Sequence, residues 1–420
     1  MFCSLPHNSW LSRERTSVGS LRFSQCRRPL VEKGALPSGR STIVPVCVRS
    51  TWQNQRGGRA RTKMNVYLLA FLFTCFLTRP MTALASDSLD FLWPGSRILA
   101  VGDLHGDIGN TMLLLYGAGV VDEDGNWIGG DSLLIQTGDV VDRGPDGKRI
   151  YDYLSTLSAQ AKERGGKIVQ LLGNHDVMNV CGDFRYAHPA ETMEFGGAAG
   201  RRQQFMDDGH YGKMLRSFPA SIKVNGVIFA HAGIPSEFAA VGLGKLTQQL
   251  HEELADDCKL HNVRFYNEAM GLRTGDLFVA GSHGPLWTRV FSMGQMTKIC
   301  EELEKALGIL ESEKMVIGHT VQESGNIEFY CDGRLILIDT GISRYVANSP
   351  RMLEIQNGAF FEWRLEISEQ VSEGEPSVRG TKRPLNIPAL KEPDSTATRT
   401  DGSAAGHEDK SDGSCRGDEL

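Results

Sequence analysis

The sequence predicts an α/β fold, and three observations carry that prediction. Short apolar runs of strand length alternate with longer segments whose apolar residues recur at helical spacing. The runs end abruptly at tight turns rich in glycine. Several of these strand ends carry Asp, Asn or His, and carboxyl ends of strands are where open α/β sheets present side chains to a crevice. No internal period of roughly 20–50 residues is present, which excludes a solenoid.

The elements follow in order. Arg97–Val101 is an apolar run leading into Gly102-Asp103-Leu104-His105-Gly106-Asp107, and Ile108–Gly117 then reads as a helix. Asp131–Thr137 leads into Gly138-Asp139-Val140-Val141-Asp142-Arg143-Gly144. Ile150, Leu154, Leu157 and Ala161 have helical spacing and stop at Gly165-Gly166. Lys167–Leu172 is the next strand, ending in Gly173-Asn174-His175-Asp176. A less regular stretch follows, and then Val227–Ala230 ends at His231-Ala232-Gly233. Residues 243–260 and Met296–Leu310 look helical. Met315–Ile317 runs into Gly318-His319-Thr320, and Arg334–Ile338 precedes Asp339-Thr340-Gly341.

The flanks have a different character. Residues 1–63 carry 12 Lys/Arg and 2 Glu; taking these and Arg79 from the totals leaves 32 basic and 49 acidic residues in 87–420. A balance of −17 there disfavours nucleic acid as a partner, because phosphate-backbone binding needs a basic face. Residues 64–86 read as a cleaved secretory signal: a 12-residue apolar core, Val66–Leu77, is too short to span a bilayer, and Ala83-Leu84-Ala85 is a small-residue cleavage site. A signal that makes sense beginning at Met64 marks residues 1–63 as a basic extension or a gene-model artefact. Residues 370–420 lose apolar periodicity, read as a disordered tail, and end in Gly417-Asp418-Glu419-Leu420. That ending resembles the retrieval address of the endoplasmic reticulum, with Gly in its first position, and implies a lumenal location and a retrieval receptor as partner. No transmembrane span is expected after signal cleavage. Five cysteines remain beyond residue 86, an odd count with no Cys-x-x-Cys spacing, so neither a zinc site nor a redox motif is assigned.

Asp103, His105, Asp139, Asn174, His175, His231 and His319 are donors that suit Mn²⁺, Fe or Zn²⁺. Seven exceed the needs of one ion, but two ions sharing a carboxylate would use most of them. Gly-Asp-x-His-Gly, Gly-Asp-x-x-Asp-Arg-Gly and Gly-Asn-His-Asp occur in that order, each after a strand. On these motifs residues 94–345 resemble the phosphoprotein phosphatase family of metallophosphoesterases. Residues 173–179, 182–186, 284–289 and 339–341 make the chain similar to its Shewanella-like branch. Two departures stand out. Asp176 occupies a position where the family usually has Glu, and the C-terminal Ser-Ala-Pro-Asn-Tyr-Cys motif of the eukaryotic Ser/Thr enzymes is missing.

The resemblance implies a metallophosphatase αββα sandwich over residues 87–369, two mixed sheets flanked by helices, with a dinuclear site at strand carboxyl ends. Residues 182–220 and 235–312 would form its rim. It also implies roles. Asp103, His105 and Asp139 hold one divalent ion, Asp139 bridges, and Asn174, His231 and His319 hold the second, Mn²⁺ being the expected metal. His175, oriented by Asp142, protonates the leaving group. Arg143 grips the phosphate, with Arg289 as a second arginine and Arg185 a weaker candidate. Trp287, Phe184 and Tyr186 are candidates to line a pocket for an aromatic substrate. The implied reaction is hydrolysis of a phosphoprotein or phosphopeptide monoester, with a hint of phosphotyrosine, by a metal-bridging hydroxide. The alternatives are a dinucleoside-polyphosphate or other small-molecule phosphoesterase, and a catalytically degenerate lumenal binding protein.

Overall fold

The computed structural model describes residues 88–255, 279–368 and 377–391. The basic extension, the signal segment, the end of the helix expected over 243–260, Cys258, Cys415 and the C-terminal four residues lie outside them.

After a two-residue β1 (Asp90–Phe91), three strands pair in parallel: β2 (Ile98–Val101), β3 (Leu133–Gln136) and β4 (Lys167–Gln170), with Ile98 beside Leu133 and Leu133 beside Lys167. β5 (Ser221–Val224) and β6 (Val227–Ala230) form an antiparallel pair. β7 (Lys314–Ile317), β8 (Glu328–Tyr330), β9 (Leu335–Leu337), β10 (Arg351–Gln356), β11 (Ala359–Ser368) and β12 (Ser377–Pro384) complete the set. They make two six-stranded sheets, ordered β12-β11-β10-β2-β3-β4 and β1-β5-β6-β7-β9-β8. Both are mixed: β10 runs antiparallel to β2, whereas β6, β7 and β9 run parallel.

The central strands lack a polar face. Every residue of β2, β3, β6 and β7 is buried, as expected for strands covered on both sides. Alternate residues feed separate apolar layers. Ile98, Ala100 and Ile135 meet Val227, Phe229 and Val316 between the sheets. Leu99, Val101, Leu134, Ile228 and Met315 point the other way, into the layer beneath the helices. Burial of each such side chain contributes roughly 1.5–3 kcal/mol, so a one-residue slip of register would exchange the two layers at great cost.

The helices cover the outer faces. α1 (Ile108–Gly117) lies against β11 and β12, and α2 (Gly147–Glu163) lies against β4. α2 buries Ile150, Tyr151, Leu154, Leu157 and Ala161, the stripe its spacing predicted. α3 (Asn174–Val180) is buried throughout. The stretch that read as irregular contains α4 (Pro189–Glu194), α5 (Gly197–Phe205) and α6 (His210–Leu215), each too short to show a clear period. They are held by a cluster of Phe195, Phe205 and Tyr211, whose rings lie 5.1–5.9 Å apart. α7 (Ser236–Ala239), α8 (Leu243–Ala255) and α9 (Met296–Ile309) follow, with α9 packed on α7. A disulfide ties Cys300 of α9 to Cys331 in the β8–β9 turn, and Cys181 is disulfide-bonded as well.

One boundary needs correction. Residues 377–391, expected within a disordered tail, belong to the folded domain: β12 pairs with β11 from Ser377 opposite Ser368 to Pro384 opposite Phe361. Its sequence holds a single apolar side chain, Val378, so no periodicity marks it. Backbone pairing and Lys382 hold it, the ammonium donating to Glu354 at 2.7 Å and Gln356 at 2.8 Å over the Phe361 ring. Beyond it, Ile387 is buried in the layer between the sheets.

Candidate active site

The parallel strands explain why scattered residues meet. β2, β3 and β4 are neighbours in one sheet, and β6, β7 and β9 are neighbours in the other. Their carboxyl ends deliver Asp103 and His105, Asp139, Asn174 and His175, then His231, His319 and Asp339. The turns that carry these groups are contorted. Eleven described non-glycine residues have positive φ, and five of them are His105, Asp139, Asp142, Arg143 and His319, so backbone strain concentrates here. The neighbouring glycines let the turns touch: a Cβ on Gly318 would lie 2.6 Å from Asp103 Oδ1.

Asp139 is the centre of the arrangement. Its Oδ1 accepts the His175 backbone N–H at 2.8 Å, which aims Oδ2 at three imidazoles. Oδ2 lies 3.6 Å from His231 Nε2, 3.8 Å from His105 Nε2 and 4.0 Å from His175 Nε2. Asp103 Oδ2 is 3.9 Å from His105 Nε2. Around His231 Nε2 stand Asn174 Oδ1 at 2.9 Å and His319 Nδ1 at 3.1 Å.

The outer nitrogens decide which way the lone pairs point. His231 Nδ1 donates to Thr137 O at 2.9 Å, His105 Nδ1 to Val141 O at 3.1 Å, and His319 Nε2 to Trp287 O at 3.2 Å. A carbonyl can only accept, so each neutral ring carries its proton outward and turns a bare nitrogen inward. Lone pairs therefore face lone pairs and carboxylate oxygens with no hydrogen between them. Two donors about 2.1 Å from a shared cation stand about 3.0–3.4 Å apart, close to these spacings. The donor set fits divalent cations, with Asp139 in both of the groupings that the distances define.

The ionisation equilibria reflect the same crowding. Burial and neighbouring charge push His105 well below the ordinary imidazole value, His231 to about 3 and His319 to about 2. Burial, with nearby carboxylates, raises Asp103 well above its usual range. Burial likewise brings Asp139 up to about 7 and Asp339 to about 6. Imidazoles held neutral beside crowded carboxylates are a donor set suited to positive charge.

His175 behaves differently. Its Nδ1 lies 2.8 Å from Asp142 Oδ2, and its raised pKa results from burial, which opposes the charge, being outweighed by Asp139 and Asp142. Arg143 is exposed at the mouth, with Nη2 3.5 Å from His175 Nε2 and its guanidinium over the Tyr186 ring. Arg289, also exposed, donates to Thr320 Oγ1 at 2.7 Å, beside His319. The structure thus gathers all six expected metal ligands, His175, Asp142 and both arginines. It does not bring in Arg185, whose guanidinium pairs with Asp183 at 2.7 Å on the surface. Of the three aromatics, exposed Tyr186 lies 5.1 Å from the His175 ring, whereas Phe184 covers Arg201 and Trp287 packs against His319.

Several contributors went unassigned in the sequence. Asp176 accepts the backbone N–H groups of Asp139, Val140 and Gly173 and the hydroxyl of Tyr151, so the shorter acid still pins the Asp139 turn. Asp339 adds a buried carboxylate beside Asp103. Arg201, fully buried, donates to Asp142. Asp339 lay in a quoted motif, but no signal distinguished Arg201 from a surface arginine.

A family model described as calcineurin-like phosphoesterase matches residues 96–323. The chain is 32% identical over 287 residues to Shewanella-like protein phosphatase 1 of Plasmodium berghei (strain Anka), covering 66% of this chain and 76% of that one. It is 29% identical over 306 residues to Shewanella-like protein phosphatase 2 of Arabidopsis thaliana, covering 62% and 75% respectively. Among solved structures, the cold-active protein-tyrosine phosphatase of a psychrophilic Shewanella species matches with a TM-score of 0.55 at 26% identity, covering 65% of this chain and 78% of that one.

Proposed function

We propose, since the chain belongs to the calcineurin-like phosphoesterase family and within it to the Shewanella-like protein phosphatases, that this metal-dependent phosphatase acts on phosphotyrosine in proteins. The observation that carries the reading is the inward convergence of unprotonated His105, His231 and His319 nitrogens on the Asp139 carboxylate, beside the His175–Asp142 pair.

In this reading Asp103, His105 and Asp139 hold one ion, and Asp139, Asn174, His231 and His319 hold the other. Mn²⁺ is the proposed metal, on the mixture of carboxylate, amide and imidazole donors. When bound, the two cations supply positive charge at the phosphoryl oxygens and lower the pKa of a water nucleophile. Arg143 and Arg289 grip the phosphate from the mouth with their planar guanidinium forks. His175 donates its Nε2 proton to the departing oxygen while Asp142 holds the Nδ1 side. Tyr186 offers an aromatic wall beside that proton, which favours an aryl over an alkyl phosphate. The tyrosine phosphatase among the structural matches agrees with that preference.

The test is a panel of phosphotyrosine peptides, phosphoserine peptides and dinucleoside polyphosphates offered to the full chain with Mn²⁺. At least a tenfold advantage in kcat/KM for phosphotyrosine is expected. A preference for dinucleoside polyphosphates would end the protein-phosphatase reading, and a preference for phosphoserine would end the aryl one. His175→Asn is expected to slow alkyl phosphates about 10²–10³-fold and nitrophenyl phosphate about tenfold or less, because only poor leaving groups need the proton. Equal losses along a leaving-group series would remove His175 from that role.

The compartment proposed is the lumen of the endoplasmic reticulum. Its support is the signal segment, the terminal Gly-Asp-Glu-Leu and the Cys300–Cys331 disulfide, a bond that persists in oxidising surroundings. Among the described residues no helix is long and apolar enough to cross a membrane. A mature amino terminus near Asp87 is expected on sequencing protein purified from cells; an intact Met64 would contradict cleavage.

A further inference from the structure

We infer that Arg201 is a positioning residue for the proton donor: it locks Asp142 in place so that Asp142 can lock His175. The inference rests on the role given to His175 above.

The two oxygens of Asp142 have separate partners. Oδ2 receives His175 Nδ1 at 2.8 Å. Oδ1 accepts from Arg201 Nη2 at 2.9 Å and from Asn179 Nδ2 at 3.0 Å. Asn179 Nδ2 also donates to His175 O at 2.9 Å, so the same amide fixes both ends of the pair. Asn179 Oδ1 in turn accepts from Arg201 Nε at 2.8 Å and Nη2 at 2.6 Å. The remaining nitrogen, Nη1, reaches Glu191 Oε2 at 2.7 Å.

Arg201 is 0% exposed and therefore cannot meet substrate, unlike Arg143 and Arg289. A buried guanidinium carries a desolvation cost, and a pair of apolar residues would hold α5 to α3 at least as well. What an apolar pair cannot do is fix the rotation of a carboxylate. Asp142 needs that restraint because its backbone is left-handed, with φ of 69°, on a turn rather than in a strand. Three rings, Phe184, Phe195 and Phe205, surround the guanidinium carbon at 4.9–5.6 Å and confine it to its plane. Arg201 comes from α5 and Glu191 from α4, so the stretch expected to form only the rim also reaches behind the catalytic pair.

The experiment compares the full chain with Arg201→Lys and with the double variant Arg201→Met/Glu191→Gln, which removes both charges together so that no unpaired ion is buried between these two helices. Metal content, Tm and kcat are measured over a series of phosphate esters from nitrophenyl to phenyl to alkyl. The expected result is two ions per chain, a loss of only a fewfold on nitrophenyl phosphate, and a loss of about 10–100-fold on phenyl and alkyl phosphates. Arg201→Lys should fall between, since an ammonium reaches fewer acceptors. Parallel losses across the series, or loss of metal, would make Arg201 purely structural. If wild type shows no metal-dependent hydrolysis, the phosphatase reading fails and takes this inference with it; an active wild type with an unchanged leaving-group slope in the double variant overturns this inference alone.

Discussion

Asp139→Asn is expected to lower kcat by at least about a thousandfold and to leave fewer than one metal ion per chain. The loss follows from where Oδ2 points, 3.6 Å from His231 Nε2 and 3.8 Å from His105 Nε2. An amide there either presents a neutral oxygen or turns an NH₂ toward an imidazole lone pair and fills the site with a hydrogen bond. In the proposed reading both ions would lose a shared ligand, and the missing charge stabilisation of several kcal/mol would correspond to three or more powers of ten in rate. The metal-free variant should respond in the opposite sense. Asp139 is raised to about 7 by burial among other carboxylates, above the value it has in an unfolded chain. Its ionisation therefore destabilises the metal-free fold; the penalty is full above pH 7 and disappears toward pH 4. Metal-free Asp139→Asn should melt above metal-free wild type at pH 8, with the difference narrowing as the pH falls. Retention of both metal and turnover would remove Asp139 from the centre of the site.

Gly173→Ala should disable the enzyme without replacing a ligand. An added Cβ would lie 2.4 Å from Asp139 N and 2.1 Å from Asp139 Oδ1, contacts no Cβ tolerates. The opposing Gly138, with φ of 102°, is equally close: its Cβ would meet Gly173 N at 2.4 Å. The turns after β3 and β4 are thus back to back, and a methyl group must push them apart. The cost should exceed about 2 kcal/mol, or roughly 4–8 °C in Tm. Displacing Asp139 against Asn174 and His175 by about an ångström should lower kcat about 100-fold. Gly308→Ala is the control. It lies within α9 with nothing within 4 Å of the new methyl, so it should gain about 0.5–1 kcal/mol with kcat unchanged. Full activity in Gly173→Ala would show that the spacing of these turns is not what sets the site.

The ligands were legible because each follows a buried apolar run and sits on a turn with glycine beside it. Asp103, Asp139, Asn174, His231 and His319 all have that signature, and the parallel strands turn a linear pattern into a cluster. Other parts of the chain lacked one. β10 and β11 join the first sheet from far along the sequence, well beyond β2, β3 and β4, and only tertiary pairing places them there. β12 holds to an edge through backbone hydrogen bonds that depend little on side-chain type. Arg201 lies in Gly-Ala-Ala-Gly-Arg-Arg-Gln-Gln-Phe, next to the similar but exposed Arg202; which of the two turns inward is decided by the Asp142, Asn179 and Glu191 acceptors brought from elsewhere.

The donors facing His231 come from both halves of the sandwich: Asp139 and Asn174 follow strands of one sheet, His231 and His319 strands of the other. A cation held among them would act as a rivet across the seam, and its binding free energy would count toward holding the halves together. Metal scarcity would then erode the amount of folded enzyme as well as its turnover, making the cell's supply of one ion a control on both.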